Sequence, residues 1–148
     1  MASAVSARWD AGTKVSITNG LHTWSSDEPL DAGGSDTGPN PYELLLGSLA
    51  ACTCITLGLY CRHKGIELRS VRVDLTQNKI HADDCADCDD EMKGFIDRIS
   101  SAVLIDADVH GAQRTRLGQV ATRCPVHKTL GNRVTFEDTV AFVGADAG

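Results

Sequence analysis

The chain has little of what marks a nucleic-acid-binding or a secreted protein. Its 148 residues carry a net charge of −6 and contain no block of basic residues. A nucleic-acid partner is therefore disfavoured, because binding to phosphates needs clustered cations. The segment from Met1 to Asp10 lacks the apolar core of a secretory signal, so we expect a cytoplasmic protein. The length predicts a single domain over residues 1–148, and no internal repeat argues otherwise.

Six cysteines are present, and in a reducing cytosol they indicate thiol chemistry or metal binding rather than stable disulfides. Cys52 lies inside a long uncharged run, whereas Cys124 begins the tetrapeptide Cys-Pro-Val-His, with 71 residues between the two. If the fold brings these thiols together, the pair could cycle between dithiol and disulfide and reduce an oxidised substrate.

The order of predicted elements is ββ-α-ββ-αα-β, which indicates an α+β fold. Alternation predicts strands, Asn19-Gly20 predicts a two-residue hairpin turn, and Asn40, Pro41 and Glu43 form the capping box of a long helix. The predicted elements are a hairpin over Lys14–Ser25, helices over Pro41–His63, Ala112–Arg123 and Val126–Leu130, and strands over Leu68–Lys79, Phe95–Val109 and Val134–Val143.

The long helix is uncharged for 18 residues, from Leu44 to Cys61, which overlaps the range of a membrane span. Small and polar residues such as Gly47, Ser48 and Thr53 dilute its hydrophobicity. We therefore favour a central helix of a protein without a membrane partner, buried on all sides. A second subunit would help to cover such a helix in so small a domain.

Cys124 is the better candidate for an activated thiol on local grounds. Because it precedes Pro125, it can cap a helix and lie near free N–H groups at the positive end of the helix dipole. Arg123, His127 and Lys128 add positive charge, and His127 could also help to activate the thiol. An inert cap residue is the alternative.

The other cysteines have plainer interpretations. Cys54 and Cys61, and Cys52 on sequence context alone, read as small hydrophobes of a helix core. His81, Cys85 and Cys88 are weak candidates for a metal site, because a CxxC is half of a typical zinc motif and no second CxxC exists. A solvated loop is the preferred interpretation of this acidic segment.

Three stretches resemble the OsmC/Ohr family of osmotically inducible and organic hydroperoxide resistance proteins. They are Gly-Pro-Asn-Pro-Tyr-Glu-Leu-Leu-Leu at 38–46, Ala-Ala-Cys-Thr at 50–53 and Arg-Cys-Pro-Val-His-Lys-Thr-Leu at 123–130. The resemblance implies a curved antiparallel sheet wrapped around a central helix in an intertwined homodimer. It also implies that Cys52 attacks an organic hydroperoxide, that Cys124 resolves the sulfenic acid, and that an external dithiol reduces the pair without a cofactor.

The sequence departs from the family where that cysteine is activated. Tyr42 stands where the family has its glutamate, with Glu43 one residue later, and Leu21 stands where an arginine is expected. We expect a substitute, with His22, Arg8 or Arg123 as the cation and Tyr42 as a hydrogen-bond donor. The residues His22-Thr23, Asp27-Glu28-Pro29 and the Cys85/Cys88 loop mark an OsmC-like branch.

Three functions remain open on the sequence. The first is a thiol peroxidase that responds to oxidative stress. The second is a non-enzymatic OsmC-like protein that holds a metal or small ligand through His81, Cys85 and Cys88. The third is a dimer that binds a small molecule in an inert apolar pocket.

Overall fold

The computed structural model describes residues 2–144. Three strands come first, followed by a long helix, a two-stranded hairpin and two shorter helices. Their bounds are β1 Ser6–Ala11, β2 Lys14–Thr18, β3 Thr23–Ser26, α1 Pro41–Lys64, β4 Leu68–His81, β5 Phe95–Ala107, α2 Gly111–Ala121 and α3 Pro125–Gly131. The predicted α+β class is confirmed.

The N-terminal strands form an antiparallel sheet in the order β1-β2-β3. The hairpin of β2 and β3 is as predicted, but its turn is not. Thr18 pairs with Thr23, so the loop spans four residues rather than the two of Asn19-Gly20. The Asn19 side chain accepts hydrogen bonds from the backbone N–H groups of Leu21 and His22, which stabilises the longer turn. β1 was missed because its exposed residues show no apolar alternation.

The second sheet is the long hairpin of β4 and β5. Its register runs from Leu68 opposite Ala107 to His81 opposite Phe95. Both strands agree with the prediction to within two residues, because their apolar residues alternate and pack on one face. The acidic segment between them is the expected loop, with one short 3₁₀ turn over Ala82–Asp84.

Helix α1 begins and ends where its sequence dictates. Asn40 caps it through the predicted box, in which Glu43 reaches back to the Asn40 N–H. Gly65 ends it in the left-handed conformation, with φ of 66°. These local signals are strong because each satisfies backbone groups that a helix end leaves free.

Burial of α1 is confined to one stripe within this chain. The buried residues are Leu49, Thr53, Leu57 and Cys61, which recur every four residues, whereas Ile55 is 61 % exposed. This chain alone therefore does not bury α1 on all sides, since among residues 2–144 only β4, α2 and α3 make extensive contacts with the helix. By length and composition alone α1 could span a membrane, and 22 % of its apolar window is buried.

The core lies where α1 meets α2 and the long hairpin. Leu57 and Cys61 of α1 pack with Leu117 and Ala121 of α2. Apolar residues of the long hairpin and of the segment just before it pack against these four residues. They are Ile66, Leu68, Val71, Val103 and Ile105. The core therefore fixes the C-terminal half of α1. Cys52 lies between one and two helical turns before Leu57, the first core residue of this helix.

The predicted strand over Val134–Val143 is wrong for this chain. Residues 132–142 have no regular secondary structure, and large apolar side chains are exposed there, including Phe136 at 83 % and Phe142 at 88 %. The apolar pattern is present, but a strand needs a neighbour for its backbone groups, and this segment has none within residues 2–144.

Candidate functional site

The site forms where the middle of α1 meets the start of α3. Cys52 lies on α1, and Cys124 is the N-cap of α3, with Pro125 at the first helical position. The cap prediction is confirmed: the His127 N–H donates to Cys124 Sγ at 3.4 Å. Proline suits this position because it lacks an N–H and its φ is already helical. Packing of α1 on α3 then brings the two cysteines together.

Cys124 is fully buried yet well supplied with hydrogen-bond donors. Burial raises the pKa of the Cys124 thiol, but hydrogen bonds from the His127 N–H, the Thr53 hydroxyl, the Cys52 thiol and the Val126 N–H outweigh it. The net pKa lies below the ordinary 9.0. The sulfur is therefore an acceptor that favours the thiolate form.

Cys52 is the accessible member of the pair. It is half-buried, and its Sγ accepts a hydrogen bond from the Val126 N–H at 3.5 Å. Its thiol also contacts Cys124, since hydrogen bonding from Cys52 lowers the Cys124 pKa. Both cysteines are free thiols in this structure. The arrangement is two neighbouring thiols, with the sulfur of lowered pKa buried inside and the other toward the surface.

Two open clefts lie on either side of Cys52 along α1. Leu49, one turn before Cys52, lines a cleft of about 220 Å³ with Ile99, Leu130 and His127. Thr56, one turn after Cys52, lines a second cleft of about 250 Å³. The cations of that second cleft are Arg116, Arg123 and Lys128. Because residues three and four apart share a helix face, Cys52 lies on α1 between the residues that reach the two clefts. The first cleft is mainly apolar, with Asp97 and Ser101 also in its wall, and the second is cationic.

The other predicted site residues are not gathered around Cys52 by this chain. Glu43 is occupied by the helix cap, Tyr42 is 53 % exposed, and His22 is exposed in the hairpin loop. Within residues 2–144, no hydrogen bond joins any of these side chains to Cys52 or Cys124. His127 contributes its backbone N–H to the site, while its ring lines the apolar cleft.

The suggested cations have different positions. Arg123 is exposed and lines the cationic cleft beside α1, whereas Arg8 pairs with Asp10 at 3.5 Å on the first strand. Among residues 2–144, no ion pair links either guanidinium to a thiol of the site. Donors of the backbone and of Thr53 are what this chain itself supplies to the sulfurs.

The His81, Cys85 and Cys88 set is not assembled as a metal site in the described part of the chain. Cys85 and Cys88 are joined in a disulfide, with their Cα atoms 5.4 Å apart. The His81 ring accepts a hydrogen bond from the Asp83 N–H and lies 3.2 Å from the Asp83 carboxylate. In residues 2–144, no three ligating side chains converge.

Sequence reasoning missed the roles of two buried polar residues, one beside Cys124 and one in the loop that leads into α1. Thr53 is buried, and its hydroxyl lies 3.7 Å from Cys124 Sγ; a buried threonine beside a candidate cysteine was the available signal. Asp27, 2 % exposed, accepts hydrogen bonds from the Thr13 and Thr37 hydroxyls and from three backbone N–H groups. It organises the loop that leads into α1.

These features define an α+β protein with a buried cysteine of lowered pKa beside a more accessible cysteine. The OsmC-like protein family model matches residues 33–138, which is more than half of the chain and includes both cysteines. The protein belongs to the OsmC family. No curated protein matches the chain.

Solved structures share its fold. An OsmC-like protein from Mycoplasma pneumoniae is 20 % identical with a TM-score of 0.68, covering 88 % of each chain. OhrB, the organic hydroperoxide resistance protein of Bacillus subtilis, is 21 % identical with a TM-score of 0.56, covering 87 % of this chain and 90 % of its own. A putative organic hydroperoxide resistance protein from Vibrio cholerae, with captopril in one active site, is 25 % identical with a TM-score of 0.58; the coverages are 86 % and 83 %.

Proposed function

We propose that this protein is a thiol-dependent peroxidase that reduces organic hydroperoxides through Cys52 and Cys124 and serves in the response to oxidative stress. The observation that carries the proposal is that the first turn of α3 holds both sulfurs: the Val126 N–H donates to Cys52 Sγ at 3.5 Å, and the His127 N–H donates to the buried Cys124 Sγ at 3.4 Å. Relatives named for organic hydroperoxide resistance share the fold and support this substrate class.

The first step needs a thiolate on the accessible sulfur. When Cys124 is in its thiolate form, transfer of the Cys52 proton to it leaves Cys52 as the nucleophile. Cys52 Sγ then attacks the terminal peroxide oxygen, the O–O bond breaks, and an alkoxide leaves. The alkoxide takes the proton from Cys124 and departs as an alcohol, while Cys52 becomes a sulfenic acid.

The second step uses the thiolate regenerated on Cys124. Cys124 Sγ attacks Cys52 Sγ, the sulfur–oxygen bond breaks, and the hydroxide takes a proton from solvent to form water. The sum is one hydroperoxide and one proton consumed, with one alcohol, one water and one disulfide formed. An external dithiol then reduces the disulfide by exchange, so the cycle uses no metal and no cofactor.

The clefts beside Cys52 suit a hydroperoxide with an apolar body. Leu49, Ile99 and Leu130 offer an apolar wall one helical turn from the sulfur. Burial of an alkyl chain there contributes about 0.8 kcal/mol for each methylene group. The cationic cleft on the other side favours an anionic end on the same substrate or a negative charge that develops during reaction.

A homodimer is part of the proposal. Two segments of the chain, α1 and the C-terminal stretch, carry large apolar side chains that are exposed. They are Tyr42, Ile55, Leu59, Phe136, Val140 and Phe142. Exposure of this extent is typical of an interface. A partner would cover α1, give the C-terminal segment a strand to pair with, and bring His22 or Arg8 of the second copy toward Cys52. Light scattering at micromolar concentration should show twice the mass of the chain, and a folded monomer would refute the dimer.

The decisive test of activity is hydroperoxide consumption with a dithiol as reductant. The wild type should consume cumene hydroperoxide, and Cys52→Ser should lose this by about 10³-fold or more, because no other group replaces the nucleophile. Cys54→Ser is the matched control, since Cys54 lies on the same helix and points to another face. Equal loss in both variants, or an inactive wild type, would refute the peroxidase.

An inactive wild type would favour a binding protein. The apolar cleft would then hold a small ligand near an inert thiol pair. For either function we propose a cytoplasmic location, since free thiols such as Cys52 and Cys124 need reducing surroundings.

A further inference from the structure

The tip of the long hairpin carries a second sulfur pair, on a different element from the helices that hold Cys52 and Cys124. The loop leaves β4 after His81 and returns at Phe95, and the Ala82 N–H donates to the Gly94 carbonyl across its neck. Within this loop Cys85 and Cys88 form a disulfide, and both side chains are partly exposed. A thiol of another molecule can therefore reach them.

One of the two sulfurs has a cationic neighbour. Arg98 of β5 extends over the loop, and its Nη2 lies 3.1 Å from Cys85 Sγ. Within residues 2–144, no carboxylate forms an ion pair with Arg98 and no donor contacts Cys88 Sγ. The guanidinium charge is thus available to Cys85, and a cation beside a thiol favours its thiolate. The two sulfurs of the disulfide are therefore chemically unequal.

We propose that Cys85 and Cys88 form a second, surface redox couple that exchanges electrons with a dithiol and acts independently of Cys52 and Cys124. A thiolate of the dithiol attacks Cys88 Sγ, the Cys85–Cys88 bond breaks, and Cys85 leaves as a thiolate held by Arg98. The second thiol of the reductant then attacks the reductant sulfur that is bonded to Cys88. This closes the reductant's disulfide and frees Cys88, which takes a proton. The dithiol becomes a disulfide, and the loop gains two electrons.

The charge around the pair selects among reductants. Acidic side chains surround the cysteines in sequence: Asp83, Asp84, Asp87, Asp89, Asp90 and Glu91. An anionic monothiol such as glutathione is repelled by this loop, whereas a neutral dithiol is not. A dithiol also completes the exchange within one molecule, because its second thiol is held close to the mixed disulfide.

The test uses the full chain with Cys52→Ser and Cys124→Ser, so that only the hairpin pair exchanges. The protein is equilibrated in mixtures of reduced and oxidised dithiothreitol, and the Cys85 and Cys88 peptides are quantified by alkylation and mass spectrometry. We expect reversible two-electron titration of the pair. At equal thiol concentration, reduction by dithiothreitol should be at least about tenfold faster than by glutathione.

Arg98→Ala should slow reduction by dithiothreitol about threefold or more, because the leaving Cys85 thiolate loses its cation. Arg98→Lys should restore part of the rate. Arg72→Ala is the matched control, since Arg72 is an exposed hairpin arginine that pairs with Asp74. The proposal is overturned if the pair stays oxidised in excess dithiothreitol, if it stays reduced in oxidised dithiothreitol, or if Arg98→Ala matches the wild type. Tight Zn²⁺ binding by the reduced loop that blocks reoxidation would also overturn it.

Discussion

Cys52 and Cys124 come from two helices far apart in sequence, whereas Cys85 and Cys88 are neighbours in one loop. The distant pair is reduced, with one sulfur fully buried among hydrogen-bond donors. The adjacent pair is a disulfide among acidic residues, with one arginine at hand. The difference teaches that surroundings, more than spacing, decide what a cysteine pair can do. The buried surroundings of Cys52 and Cys124 suit reaction with a single peroxide oxygen. The exposed loop of Cys85 and Cys88 suits exchange with a thiol of another molecule.

The largest expected effect separates the two pairs by their roles in turnover. Cys124→Ser should still react once with cumene hydroperoxide, though more slowly because it lacks the Cys124 base. It should then accumulate Cys52 sulfenic acid, because the resolving Cys124 thiol is gone. Trapping with dimedone and mass spectrometry would detect this species. Cys88→Ser is the comparison, and it should neither trap sulfenic acid at Cys52 nor slow peroxide consumption. Sulfenic acid in both variants would mean that the two pairs act in one sequence.

A second prediction compares the buried carboxylate of the loop that leads into α1 with an exposed carboxylate beside the second pair. Hydrogen bonds from Thr13 and Thr37 lower the pKa of Asp27 well below its ordinary value. Asp27→Asn should lower the melting temperature by several degrees, since five donors lose their charged acceptor, whereas Asp87→Asn should leave it unchanged. The Asp27 contribution is present above pH 4 and is lost only as the pH falls toward the lowered pKa. Equal melting temperatures for both variants would contradict this assignment.

The third prediction concerns the donors that set Cys124 apart. Thr53→Val removes one hydrogen bond to Cys124 Sγ, worth about 0.5–1.5 kcal/mol. The Cys124 pKa should therefore rise by roughly half a unit to one unit. Thiolate absorbance during a pH titration of the Cys54→Ser/Cys61→Ser protein would measure it. Thr115→Val, which removes a hydroxyl from α2, should leave the titration unchanged. No shift with Thr53→Val would show that the backbone donors suffice.

The smallest effect is on stability. The pKa of Cys124 in the folded chain lies below its ordinary 9.0, so its contribution is complete above pH 9 and is lost as the pH falls through the lowered pKa. The free energy of unfolding of the wild type should therefore rise with pH in this window relative to Cys124→Ala. Urea denaturation at several pH values would measure it. A constant difference between the two proteins would argue against a thiolate at Cys124.

Much of the fold was readable from local signals. The capping box at Asn40, the glycine stop at Gly65 and the alternation in β4 and β5 each depend on a few neighbouring residues. The absence of a strand over residues 134–143 was not predictable, because an apolar pattern does not reveal whether a neighbouring strand lies beside it. The open face of α1 has the same origin, since an apolar run does not state which molecule covers it.

For the site, the sequence identified the two cysteines and the cap, and the family resemblance predicted the attacking role of Cys52 and the resolving role of Cys124. Local reasoning favoured Cys124 as the activated thiol, and its lowered pKa agrees. The reach of Thr53 to that sulfur depends on how α1 packs against α3, which no spacing rule supplies. Cys85 and Cys88 were candidates for a metal site on the sequence, whereas the structure joins them in a disulfide. A CxxC motif does not indicate whether its cysteines are oxidised.

The central claim is that Cys52 and Cys124 act together on a peroxide while Cys85 and Cys88 do not take part. Its most direct test is mass spectrometry of the prereduced protein after one equivalent of cumene hydroperoxide, with all thiols alkylated at once. The account predicts a Cys52–Cys124 disulfide in most chains, while Cys85 and Cys88 remain alkylated as thiols over the first turnover. A disulfide confined to Cys85 and Cys88, with Cys52 and Cys124 still free, would contradict it.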